Sequence, residues 1–280
     1  MALQDTTLGA PLTSTAPALP VVPPRERRGG STLWIVGIIV PVVGALAWEA
    51  GAGAGLISTR LFPPPSTIAE TIGRLYSSGV LVDHILATLV RVWWGFLLGA
   101  VVATVLGAAT GVSRRFRVLF DPTLQGLRSI PSIAWTPLFI LWFGIFETSK
   151  IVLIAVGVFF PVYLALAGAI SSVDRKLVEV GRIYRFNTVT MVRRILFPAA
   201  SPTYVIGLRG GLGLGWMFVV AAEFLGASSG LGYLLVDGQM TGRPAIIISA
   251  ILMFAILGKT TDWLLASAGS RLVRWQDGYE

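Results

Sequence analysis

Cysteine is absent from these 280 residues and histidine occurs once, as His84. The first absence excludes disulfides, thiolate metal sites and a cysteine nucleophile, and the second argues against any histidine-based metal centre. Charge is scarce as well: only 13% of the residues are Asp, Glu, Lys or Arg, about half the share in ordinary soluble domains. Catalytic signatures are missing too, with no GxSxG, no HExxH and no close carboxylate pair in an aqueous site. The tripeptide Gly258-Lys259-Thr260 imitates the end of a phosphate-binding loop, but Met253 stands where that loop needs glycine. No catalytic residue and no metal ligand is therefore assigned.

What the chain does have is apolar bulk. Hydrophobic residues make up 54% of it, too many for polar groups to cover the surface, so a polytopic all-α membrane protein is expected. The net charge of +8 lies in short runs between apolar segments rather than in a basic stripe with stacking aromatics. That is the pattern of a membrane protein and not of a nucleic-acid binder.

Residues 1–30 are rich in Pro, Ala and Thr without apolar periodicity and read as a disordered tail; residues 31–280 form the membrane domain. Six spans are expected: about Leu33–Ala50, His84–Gly111, Leu119–Phe146, Ile151–Ile170, Ala199–Leu225 and Pro244–Ser267. The third contains Pro122, Pro131 and Pro137 and should be kinked or broken. Between the first two spans, Pro63, Pro64 and Pro65 impose an extended chain, and Ser66 is expected to cap a short helix over Thr67–Tyr76. Ser113–Arg117 is read as a basic loop, Glu147–Lys150 as a turn, and residues 226–243 as a Gly/Ser-rich loop. Gly95, Gly99, Gly107 and Gly111 in one span, and Gly207, Gly211 and Gly215 in another, are spaced for close helix packing in lipid. With six spans both termini share a side. Most arginines fall on it, which makes that side cytoplasmic and leaves only Arg60, Arg74, Lys150 and Arg243 outside.

The most polar interior segment, Ser171–Pro198, lies on the cytoplasmic side. Helical spacing places Leu177, Val180 and Tyr184 on one face and Arg175, Glu179 and Arg182 on another, with Asp174 as cap and Asn187 as breaker. Arg175–Glu179 and Glu179–Arg182 pairs are expected to stiffen it by ~0.2–0.5 kcal/mol each. Inside the spans, polar residues are costly and default to function. Arg128, Arg209, Trp216 and Glu223 are the candidates for lining a path for an anion, with a structural bolt as the alternative for each. Arg91 and His84 read as interfacial, snorkelling groups.

The polar segment resembles the cytoplasmic "EAA" loop of permease subunits of bacterial ATP-binding-cassette importers. The family pattern runs Glu-Ala-Ala, three residues, Gly, nine residues, then Ile-x-Leu-Pro. Here Glu179, Val180 and Gly181 stand first, Arg185 stands where glycine is usual, and Ile195-Leu196-Phe197-Pro198 close the pattern. FPPPSTI at Phe62–Ile68, and the stretches Arg128–Ile151 and Gly207–Leu234, look like the nitrate/sulfonate/taurine subfamily, aliphatic sulfonate permeases above all. The resemblance implies a type I importer fold in the bacterial inner membrane, six helices with both termini cytoplasmic, and a coupling helix over about Arg175–Phe186. It implies ATPase contacts through Arg175, Glu179, Gly181, Arg182, Arg185 and Phe186. It also implies a homodimer, two cytoplasmic ATPase subunits that bind ATP and Mg, and a periplasmic or lipid-anchored solute-binding protein. No cofactor is then expected in this chain. The alternatives are the same role for taurine, nitrate or a pyrimidine precursor, or a self-sufficient secondary transporter or channel.

Overall fold

A computed structural model describes residues 30–224 and 226–273. The tail over residues 1–29, Arg274 and Trp275 lie outside the described residues. The chain divides into two units, Met1–Ala47 and Trp48–Glu280. Every described element is helical: α1 (Gly30–Gly53), α2 (Pro65–Ser77), α3 (Val80–Val112), α4 (Arg114–Arg128), a 3-10 turn (Ser132–Trp135), α5 (Thr136–Phe143), α6 (Glu147–Ser171), α7 (Arg175–Ile183), α8 (Thr188–Met191), a π turn (Val192–Leu196), α9 (Phe197–Phe224), α10 (Leu231–Met240) and α11 (Pro244–Leu272).

Four helical stretches are long and apolar enough to cross a membrane: Val80–Val112, Glu147–Ser171, Thr188–Phe224 and Pro244–Leu272. The 24 residues of α1 reach about 36 Å at 1.5 Å per residue. The expected third span is no single helix. Pro122 sits inside α4, Pro131 precedes the 3-10 turn and Pro137 opens α5. With eight residues, α5 rises only about 12 Å and cannot cross alone.

Helix α6 is the centre of the larger unit, flanked by α3 and α9. Glycines decide how near they come. A Cβ on Gly99 would meet the Ala155 carbonyl oxygen, one on Gly95 would meet Ile154, and Gly107 and Gly111 lie against Tyr163 and Ile170. On the other side Gly207, Gly211 and Gly215 face Ala165, Val162 and Val158. Both glycine series therefore do what their spacing foretold, bringing backbones together where lipid provides no hydrophobic drive. Ile154, Val158, Val162, Tyr163, Ala103 and Val219 fill the core between them. A second cluster joins Leu81 of α3 to Leu231 and Leu234 of α10 and Ile246 and Ala250 of α11.

Local readings differ from the structure at five places. Ser113–Arg117 is not a loop: Ser113 caps α4, accepting from Phe116 N, and the arginines begin the helix. Glu147–Lys150 forms the first turn of α6 instead of a turn between spans; Gly144, at φ +72°, supplies the reversal. The stretch 226–243 contains the ten-residue helix α10. Ser66 is not the cap of α2, whose N-cap is Pro64; its amide and hydroxyl instead donate to the Glu49 carboxylate at 3.0 and 2.8 Å. Helix α7 ends at Ile183, and Asn187 caps the next helix by accepting from Thr190 N at 2.8 Å.

Candidate functional site

Three places in the larger unit carry the polar chemistry. The first is α7. Asp174 caps it as expected, its side chain accepting from Lys176 N at 2.9 Å. Gly181 is buried, and a Cβ there would meet Met191 and Ile195, so the helix sits close upon the chain that follows. Val178 joins the cluster of Ile170, Leu196 and Ala200 beneath it. The opposite face is apolar and open: Leu177, Val180, Ile183 and Tyr184 are 48%, 47%, 79% and 70% exposed.

The helix ends in a left-handed turn. Phe186 N donates to Gly181 O at 3.0 Å and Arg185 N to Arg182 O at 2.9 Å. That is the paired closure of a Schellman motif, with Arg185 at the position that glycine normally fills. Arg185 has φ +50°, alone among described non-glycine residues in being positive. The side chain costs roughly 1–2 kcal/mol relative to the right-handed region, which gives a physical reason for glycine at this position of the pattern. The turn keeps its shape without glycine. Phe186 follows, with the Arg194 guanidinium 5.7 Å from its ring centre. The chain then passes through the π turn into α9.

Between α7 and the ends of α3 and α6 lies a cavity of about 500 Å³ that Arg117, Arg175, Glu179 and Arg182 line. The two expected ion pairs are not formed: no salt bridge among the described residues involves Glu179. The charged face thus turns toward the cavity rather than pairing along the helix.

The second place is the set of candidate path residues, which the structure does not bring together. Arg128 is exposed at the end of α4, its guanidinium 3.5 Å from Gln125 Oε1. Arg209 is gripped by Asp262 of α11, Nε to Oδ1 at 2.8 Å and Nη2 to Oδ2 at 2.9 Å. Trp216 is buried, packs edge-on against Phe254, and donates from Nε1 to Thr261 Oγ1 at 2.9 Å. Glu223 is 1% exposed. Asp262 is an intramembrane acid that the sequence reading missed; its signal was the opposite charge on a neighbouring glycine-rich span. Beside α9, Pro131, Ile133, Met217, Val220 and Phe224 line an apolar recess of about 670 Å³.

The third place overturns the interfacial reading of Arg91 and gives half-buried His84 a partner. Arg91 is 3% exposed and centres a network across α3, α6, α9 and the start of α10. Its Nε and Nη2 donate to Glu147 at 2.6 and 2.8 Å, and Nη1 donates to Glu223 Oε1 at 2.7 Å and to Ser229 O at 2.6 Å. Lys150, 6% exposed, adds a bond to Glu147 at 3.1 Å. Two cations and two carboxylates neutralise one another in this cluster. The N-terminus of α10 is finished by side chains from the same set. Gly230 N donates to His84 Nδ1 at 3.0 Å, Leu231 N to Thr88 Oγ1 at 2.8 Å and Gly232 N to Glu223 Oε2 at 2.7 Å. Amides that start a helix have no partner of their own; here three helix-borne side chains supply them where water is scarce. Gly230, at φ +115°, leaves room for nothing larger, since a Cβ would meet Glu223 and Arg91. Among the described residues no group of three or more His, Cys, Asp or Glu is placed to hold a metal ion.

Residues 95–274 match the family model described as "Binding-protein-dependent transport system inner membrane component". The chain is 39% identical over 267 residues to the putative aliphatic sulfonates transport permease protein SsuC of Bacillus subtilis, covering 95% of each. It is 34% identical over 241 residues to the protein of the same description in Escherichia coli, covering 86% of this chain and 91% of that one. Among solved structures, an inward-facing MetNI methionine ABC transporter chain matches with a TM-score of 0.59 at 23% identity, over 71% of this chain and 96% of that one, a likeness of fold.

Proposed function

Because this chain belongs to the family of inner membrane components of binding-protein-dependent transport systems, we propose that it forms the path by which an ATP-driven importer takes up a small anion, an aliphatic sulfonate. Family membership makes the chain an ABC importer permease, a transport component and not an enzyme, with a separate ATPase and a solute-binding protein as its partners. The names of the two bacterial relatives support the sulfonate. In this reading two copies of the chain pair with two ATPase subunits, which bind ATP and Mg. Both termini and α7 then face the cytoplasm, in keeping with the arginine-rich side of the chain.

The observation that carries the reading is the outer face of α7. Three apolar side chains stand exposed on a nine-residue helix between two membrane helices, and Tyr184 at its C-cap adds a fourth, a surface suited to a hydrophobic groove on a partner. Arg175, Glu179, Arg182, Arg185 and Phe186 frame that face. Gly181, buried beneath it, acts by letting the helix seat firmly. A rigidly seated helix passes on a push, whereas a loose one absorbs it.

The path is assigned to Arg128, Arg209, Trp216 and Glu223. Arg128 is the one that no described carboxylate engages, so it bears most of the attraction for an anion. The other three hold the walls, Arg209 through Asp262 and Trp216 through Thr261.

Purified complex in proteoliposomes tests both parts. Wild type should retain the ATPase and accumulate radiolabelled alkanesulfonate with ATP, while Ile183→Asp and Glu179→Lys should lose both the ATPase and uptake. Normal assembly and uptake in both variants would sink the docking role. Uptake of taurine or nitrate in preference to alkanesulfonate would replace the solute. Accumulation by the chain alone on an ion gradient would establish a secondary transporter instead.

A further inference from the structure

The end of the molecule opposite α7 holds a cavity that neither docking nor the path uses. It measures about 610 Å³, within the range of about 300–1,000 Å³ typical of small-molecule sites. Three segments build it: residues 59–63, helix α2, and the start of α11. Each contributes an arginine, namely Arg60, Arg74 and Arg243, and the lining also carries the hydroxyls of Thr59, Thr67, Thr71 and Ser78. Among the described residues no carboxylate lines it.

Elsewhere in the spans arginine is matched. Arg91 holds two carboxylates and Arg209 holds one in two-point fashion. Among the described residues no hydrogen bond or ion pair engages the guanidinium of Arg60 or Arg243, and that of Arg74 makes one bond, to Thr71 Oγ1 at 3.3 Å. Unmatched arginines also occur around α7, where the bias toward cytoplasmic positive charge accounts for them. That bias does not reach this cavity. Helix α3 has 33 residues and separates its two ends by about 50 Å. The α7 cavity includes Gly111 and Val112 at one end, while α2 leads into the other end at Val80. On the reading above this is the outer face, where cations are few; three of the four assigned to it meet in this single cavity, and the fourth, Lys150, is spent on Glu147. The first residues of α11, Pro244 to Ile246, also line it, adding the positive end of a 29-residue helix.

Three forked donors, hydroxyls and no competing acid are the chemistry of a tetrahedral oxyanion. We propose that this cavity binds a sulfonate, sulfate or phosphate group, carried either by a free anion in the outer medium or by the headgroup of an anionic lipid in the outer leaflet. The guanidiniums hold the oxyanion by two-point bonds, and the hydroxyl of Thr59 completes its shell; that of Ser78 is spent on Leu75 O at 3.1 Å.

The test reads binding to the purified full-length chain, so it stands whether or not the ATPase reading holds. In nanodiscs of neutral phosphatidylcholine, methanesulfonate, sulfate and inorganic phosphate are titrated calorimetrically, with uncharged dimethyl sulfone as control. In a parallel arm, native mass spectrometry scores retained phosphatidylglycerol from mixed nanodiscs. Binding of the free anions but not the sulfone identifies a soluble ligand. Retained phosphatidylglycerol without free-anion binding identifies a lipid headgroup. In either case Arg74→Gln with Arg243→Gln should weaken binding about ten- to hundredfold, and Arg60→Gln alone should weaken it less. Arg271→Gln, an exposed arginine at the far end of α11, should leave it unchanged. Thermal unfolding of each variant reports whether it is folded, and Arg60→Gln, in an exposed loop, remains informative if the double variant is not. No anion or lipid binding above control in wild type, or equal binding in folded variants, overturns the proposal.

Discussion

The α7 loop and the Arg91 cluster are both built from charge and use it in opposite ways. Around Arg91 every ionic group has a partner within about hydrogen-bond reach: Glu147, Glu223 and Lys150 close the set, and Thr88, Ser229 and backbone amides take the remaining valences. Along α7, Arg175, Glu179 and Arg182 form no ion pair among the described residues, and apolar Ile183 stands 79% exposed. Depth explains the difference. An unmatched charge inside the hydrocarbon costs several kcal/mol, whereas one at the surface is served by water and gains little from pairing. Matched charge therefore marks where this chain must be rigid, and unmatched charge marks where it meets something else.

The sharpest way to break that comparison is to unbalance the cluster. Arg91→Met should cost ~3–5 kcal/mol of stability, because Glu223 then stays buried without its cation. Pairing it with Glu223→Gln should recover part of the loss. Unfolding followed by tryptophan fluorescence in detergent reads both; a loss no larger than that of Arg182→Met would contradict the assignment. Next in size is the glycine packing of the same buried region. Gly99→Ala drives a methyl into the Ala155 carbonyl and should cost ~1–3 kcal/mol. Gly126→Ala in α4, where a Cβ meets nothing within 4 Å, should instead stabilise by roughly 0.5–1 kcal/mol through helix propensity.

Around α7 the expected changes in stability are smaller and of different sign. Arg185→Gly relieves the left-handed strain at φ +50° and should add about 1 kcal/mol, seen as a raised Tm; a fall in Tm would mean that the Arg185 side chain itself holds the turn. Ile183→Asp should change stability by no more than about 0.5 kcal/mol, yet abolish retention of the ATPase on a column. Loss of folding in that variant would move Ile183 from the docking face into the core.

Much of this architecture was legible because it is periodic. The spans at α3, α6, α9 and α11, the two glycine series, the proline-broken third region and the Asp174 cap all follow from spacing along one segment. What failed was equally local in origin. Ser113–Arg117 and Glu147–Lys150 read as connections because they are polar, but polar residues also make the first turns of helices that emerge from the membrane. Ser66 has the chemistry of a cap, yet the prolines before it already set the helix start and free its hydroxyl for Glu49. The candidate path residues were chosen by a sound rule, that charge inside a span is costly. The rule cannot tell a path from a bolt, since the partner that makes the difference lies on another helix. Arg209 found Asp262, 53 positions away, and Trp216 found Thr261.

Composition and spacing by themselves determined that this chain is a helical membrane protein, where its four long spanning helices lie, which faces pack closely, and that one short charged helix breaks the apolar sequence. Those properties depend on a residue and its neighbours within a turn or two. Tertiary structure alone decided that Arg91 is a buried hub instead of a snorkelling group, that Arg185 sits in a left-handed turn, and that Arg60, Arg74 and Arg243 share a cavity. A charge has no fixed cost of its own. Its energy is set by the groups within a few ångströms, and in this chain those groups arrive from segments far away in sequence.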